Sequence, residues 1–112
     1  ALLASVFILY NCYKIFRPAL GEIMDEHLYH DLEDEIKKIS QTVKGVICIE
    51  KCFIRKAGMK YHVDLHVMVD GTISVKEGHD IAHDLKDTLR EKLIELGHVL
   101  IHIEPNFESI ER

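Results

Sequence analysis

Two amphipathic helical stripes and three alternating strands, in the order helix–strand–strand–helix–strand, predict a two-layer α+β domain. The first stripe is Leu28, Leu32, Ile36, Ile39 and Val43, spaced as one face of a helix. The second is Ile81, Ala82, Leu85, Leu89, Leu93 and Leu96. The strands of Tyr61–Val69 and His98–Glu104 alternate apolar residues with histidines and acids. Each thus has one face for the helices and one face left open.

The elements follow in order. Ala1 to Phe16 is apolar except for Ser5, Asn11 and Lys14. A membrane-spanning helix needs about 20 such residues. The run begins at Ala1 rather than Met and fits the last two-thirds of such a helix. Tyr10 and Tyr13 precede Lys14 and Arg17, the order of a membrane interface with the following chain in the cytoplasm. A secretory leader would carry its basic residues first. A helix buried in a soluble core is the alternative, and apolarity on every face argues against it. Pro18 and Gly21 interrupt the run. The chain therefore divides into the end of a transmembrane helix (1–20), a junction (21–27), one domain (28–105) and a polar tail (106–112).

In the first domain helix, acids lead and Lys37, Lys38 and Lys44 trail, complementing the helix dipole. Gly45 is placed to stop it. Val46 to Lys56 reads as a strand with Ile47, Ile49 and Phe53 on one face and Cys48, Glu50 and Cys52 on the other. Lys51 falls on the apolar side, which points to a bulge, an edge or another register. Ala57-Gly58-Met59-Lys60 makes the hairpin connection to Tyr61. Ser74-Val75-Lys76-Glu77 is a capping box opening a helix to about Leu96. Gly97 ends that helix, and Pro105 closes the last strand. Both helices on one face of three strands make an incomplete ferredoxin-like unit.

At 112 residues this is one domain's worth of chain. Its net charge of −5 argues against nucleic acid as the main partner. Residues 1–20 hold two basic residues and no acid, whereas the remainder holds 12 basic and 19 acidic, a net −7. The cysteines Cys12, Cys48 and Cys52 are odd in number and make no disulfide framework. Cys48 and Cys52 read as semi-buried thiols more readily than as metal ligands.

Eight histidines carry most of the chemistry. The open face of Tyr61–Val69 holds His62, Asp64, His66 and Met68. That of the last strand holds His98, Leu100, His102 and Glu104. Imidazole with carboxylate suits a borderline divalent ion such as zinc, and a solvated His-rich face is the alternative. His79 and His83 are four apart on a helix, a spacing that can chelate. His27 and His30 open the first domain helix and stand there as exposed residues or as an additional site. An open sheet face also invites a second copy of the chain. No nucleophile sits beside a base, and there is no phosphate loop and no His-Glu-x-x-His, so an enzyme is not expected.

The His66 strand, His79 near the start of a helix and the closing His102-Ile103-Glu104-Pro105 resemble the cytoplasmic C-terminal domain of the cation diffusion facilitator family. Leu20–Asp25 and Lys44–Val46 resemble the segments that join and open that domain, so the likeness spans nearly the whole chain. It implies a metallochaperone-like αββαβ fold that dimerises beneath a membrane part and serves proton-coupled export of zinc or a related divalent metal. It implies His66, His79, His102 and Glu104 as metal ligands, with Glu104 as bridge. Glu50 stands where some members have a histidine. Asp25 matches a junction acid that locks the dimer by charge, and Asp64 is placed to orient a ligand ring. Transport-site ligands of the family lie in other transmembrane helices. The alternative is a free-standing soluble metallochaperone, against which the apolar segment 1–16 weighs.

Overall fold

The computed structural model describes residues 1–24, 26 and 28–106. It contains α1 (Leu2–Ile23), α2 (His30–Ser40), β1 (Cys48–Ala57), β2 (Lys60–Asp70), α3 (Val75–Lys92) and β3 (Leu96–Asn106). After α1 the order is the expected αββαβ. The strands lie in the order β1-β2-β3, with β1 antiparallel and β3 parallel to β2. Strand β2 is central because the two-residue turn at Gly58-Met59 folds β1 against it and α3 carries the chain across to β3. Gly58 supplies the positive φ of +63° at the first central turn position.

Alternation on β2 builds the core. Val63, Leu65 and Val67 are fully buried, and Val99 of β3 lies beside Val63. Ile36 of α2 and Leu85 and Leu89 of α3 close the layer from above, also fully buried. The capping box forms as expected: the Glu77 N–H donates to Ser74 Oγ at 3.1 Å, and the Ser74 N–H donates to Glu77 Oε2 at 2.8 Å.

Strand β1 departs from simple alternation. Ile49 pairs with Val67 and Lys51 with His66, so Glu50 is an extra residue in a bulge. Beyond it the parity reverses. Cys52 pairs with Leu65 and is buried, whereas Phe53 pairs with Asp64 and lies on the open face, 56% exposed. The expected placements of Phe53 on the helix side and Cys52 on the open side are therefore inverted. Burying Lys51 would strand a charge; the bulge keeps it exposed and gives its inward place to the small apolar Cys52.

Three boundaries also move. Helix α2 stops at Ser40, not at Gly45: the buried Ser40 hydroxyl donates to the Ile36 carbonyl at 2.7 Å, and Thr42 does the same to Ile39. These bonds favour a turn over further helix, and Val43 folds back into the core. Gly45 serves the turn, with φ +93°, where a Cβ would meet Ile81 at 2.6 Å. Helix α3 ends at Lys92, and Gly97 lies inside β3. Pro105 is also inside β3, opposite Val69, which is tolerable because β3 is an edge strand.

Helix α1 continues through Pro18 to Ile23. Leu2, Leu3, Phe7, Leu9 and Phe16 along it are exposed. Arg17 makes two bonds to the Glu26 carboxylate at 3.0 and 3.1 Å, and Glu22 lies 3.8 Å from Lys56 at the end of β1. Among the described residues, no helix is long and apolar enough to cross a membrane.

Candidate metal centre

The open face of the sheet brings together Glu50, His66 and Glu104, one residue from each strand. His66 sits mid-strand on β2. Glu104 lies one pleat past His102, which is the register partner of His66 on β3. The bulge turns Glu50 to the same side. One ligand atom of each lies within 4.8 Å of the others, which is the spacing of donors around one ion. His66 Nδ1 is in hydrogen-bond contact with Glu104 Oε1.

The charges around the cluster oppose one another. Hydrogen bonding and repulsion from Glu104 push the Glu50 carboxyl above its usual range. Bonds from Glu50 and then His66 hold Glu104 below its own. Two carboxylates held this close repel each other, and a cation between them would relieve that repulsion. Lys51, the other residue of the bulge, adds a positive charge that favours ionisation of both. Sequence reasoning did not single it out as part of the site; its only signal was a charged residue in an apolar register.

His102 is exposed and stacks on His66, with ring centroids 5.0 Å apart and planes at 23°. Phe53 meets the other side of His66 edge-on at 6.2 Å. His62 and His98 form a separate edge-to-face pair at 5.8 Å on the same face. His79 does not join the cluster within one chain. It stands on α3, with its ring 4.4 Å from that of His83. Cys48 Sγ lies 3.5 Å from Met68 Sδ on the open face, while Cys52 lies in the core, so the two cysteines share no site. Among the described residues, all three thiols are free. His30 is the first residue of α2. Asp25 and His27 lie outside the described residues.

Residues 28–106 match the family model described as cation efflux protein, cytoplasmic domain. The chain belongs to the cation efflux family. Its curated relatives include the manganese efflux system protein MneP of Bacillus subtilis, 27% identical over 111 residues, covering 96% of this chain and 37% of MneP. The cation-efflux pump FieF of Pectobacterium atrosepticum is 27% identical over 105 residues, covering 94% of this chain and 35% of FieF. The chain thus spans about a third of the length of these relatives. Among solved structures, MamM-CTD superposes with a TM-score of 0.66 at 18% identity, over 68% of this chain and 96% of that one. A cadmium form of a MamM-CTD variant gives 0.67 at 17% identity, over 69% and 96%. At that identity the likeness carries the fold. The α+β ferredoxin-like architecture expected from the sequence is the fold of these solved domains.

Proposed function

We propose that this chain is the metal-sensing and dimerising cytoplasmic domain of a proton-coupled divalent metal exporter, with zinc held on the open sheet face. The observation that carries the reading is the convergence of Glu50, His66 and Glu104 from three strands within 4.8 Å. One imidazole and two carboxylates leave a fourth position of a tetrahedral zinc site, and His102, stacked on His66, is the imidazole at hand to fill it. The family membership and the cadmium and nickel forms of MamM-CTD variants support a divalent ion. Zinc stands above manganese and iron in affinity for such donors, whatever the cargo of the complete transporter. The exposed apolar surface of α1 supports attachment to a cell membrane, with residues from about 21 onward in the cytoplasm.

Zinc calorimetry tests the reading. His66→Ala and Glu104→Gln should each weaken binding by at least about tenfold, since even the supporting partners of metal ligands contribute that much. His98→Ala, on the same face but paired with His62, should leave affinity unchanged. Equal loss in all three variants, or no zinc binding at micromolar concentration, would overturn it.

A further inference from the structure

We infer that an apolar groove between the end of β3 and the start of α3 is the docking site of the chain's own tail, with Phe107 as its anchor and Ile110 beside it. The inference is independent of metal binding on the open face of the sheet. Residues 107–112 lie outside the described residues; the groove, and the strand that leads into it, carry the proposal. The groove measures about 410 Å³ and opens between the turn after β2, the first turns of α3 and the last residues of β3. Its walls are mainly apolar, with Val69, Ile73, Val75, Ala82, Ile101 and Ile103 among them. Val69 is buried, but Ile73, Ala82, Ile101 and Ile103 are only half-buried, and Val75 is 93% exposed. Val99, on the same face of β3 as Ile101 and Ile103, is buried. The helical layer thus runs out towards the C-terminal end of that strand and leaves apolar surface in water, where covering it is favourable.

Strand register says what arrives there next. Ile101 pairs with Leu65, Ile103 with Val67 and Pro105 with Val69, all on the helix side of the sheet, where the three β2 residues are buried. One further step of two along the chain is Phe107. The same register sets it opposite Gly71, which lines the groove and has no side chain to fill it. Asn106 is still paired with Asp70, so Phe107 follows directly on a fixed stretch of backbone.

The rest of the tail fits the same surface. Glu108, Ser109, Glu111 and Arg112 are polar, and Phe107 and Ile110 are its apolar residues. They are three apart, so a single turn of chain brings both to one side, with Val75 at the mouth as surface for Ile110 to cover. The polar groups around the groove are already satisfied: the Thr72 N–H donates to Asp70 and the Glu77 N–H to Ser74 Oγ, so an apolar occupant strands neither. A segment tethered at the groove's edge is present at an effective concentration in the millimolar range, which favours it over a second copy of the chain.

Tryptophan fluorescence of the full chain, in detergent with a chelator, tests the assignment. The sequence contains no tryptophan, so Phe107→Trp installs a lone reporter. Its emission should be blue-shifted and shielded from acrylamide in the folded chain, and red-shifted and quenched in urea. Glu108→Trp, of opposite parity, should be quenched in both states and controls for shielding by the micelle. In wild type, the Phe107 ring protons should show NMR contacts to the methyl groups of Ile73 and Ile103. Mixing labelled with unlabelled chains should show that these contacts lie within one chain. Phe107→Ala should lower the melting temperature by about 5 °C or more, and Glu108→Ala should leave it unchanged. A Phe107→Trp reporter as accessible as the Glu108→Trp one would overturn the proposal. Ring contacts found only between chains would overturn it too, and would give the groove to a second copy.

Discussion

Glu50 is the residue on which the site turns, because it carries a carboxylate against Glu104 at a position the ladder has to stretch to make. Its folded carboxyl is harder to ionise than in the unfolded chain, since Glu104 both bonds and repels it. For an acid this sign means a destabilising contribution. It is absent below about pH 4.5, where both states are protonated, and complete above the folded pKa. Glu50→Gln keeps a hydrogen-bonding group and removes the repulsion. It should raise the metal-free melting temperature at neutral pH, with the gain vanishing near pH 4, and it should weaken zinc binding. A variant less stable than wild type at pH 7 in the presence of a chelator would refute this account. Cys52 makes an independent case. Burial pushes its thiol up to about 12 from 9.0, so roughly a thousandfold less thiolate is present at neutral pH. Iodoacetamide should label exposed Cys12 in the folded chain and reach Cys52 only after denaturation. Prompt labelling of Cys52 would mean that the parity after the bulge is wrong.

At the level of elements, short local rules were legible and compensated ones were not. The Ser74–Glu77 capping box needs four residues and no tertiary partner, and it forms as read. Ser74→Ala should cost about 1 kcal/mol by urea unfolding. The Glu77 carboxylate is held below its usual range, first by the Ser74 backbone N–H and then by its hydroxyl. Its stabilising effect is therefore present above pH 4.5 and lost as pH falls through the depressed folded pKa. The difference between wild type and Glu77→Ala should shrink below that point; a constant difference down to pH 2 would contradict the cap. The bulge was foreshadowed by Lys51 on the apolar side, yet its position depends on pairing with His66 across the hairpin, which periodicity along one strand does not contain. The end of α2 was misplaced because Ser40 and Thr42 turn their hydroxyls onto the preceding turn, a local bond that outweighs the apolar spacing continuing to Val43. Of the ligand candidates, His66, Glu104 and Glu50 meet because three strands share one face. His102 was placed beside them correctly by parity alone. The position of His79 follows from how α3 lies on the sheet, which helical spacing cannot specify.

The whole molecule joins a long exposed apolar helix to an acidic domain. From residue 21 onward, 12 basic and 19 acidic residues leave −7, so two copies approaching each other meet net repulsion. In the proposed dimer, cations bound on the open face would replace part of that repulsion with coordination. On the proposed reading, metal occupancy and the separation of two copies would then be one linked equilibrium. The linkage supplies only the difference in affinity between the close and the distant arrangements; a fiftyfold preference amounts to about 2.3 kcal/mol. Met59, at the hairpin tip and 92% exposed, is a suitable label position away from the cluster. With Cys12 replaced by Ser and a spin label on Met59→Cys, zinc should shorten or narrow the distance distribution between the two copies in a detergent-solubilised dimer. The response should disappear with Glu104→Ala. Raising salt to 1 M, where the Debye length falls to about 3 Å, should bring the metal-free distance closer to the zinc-bound one by screening the same repulsion. If zinc binds tightly and the distances stay fixed, the domain clamps or stores metal and does not report it to the membrane part.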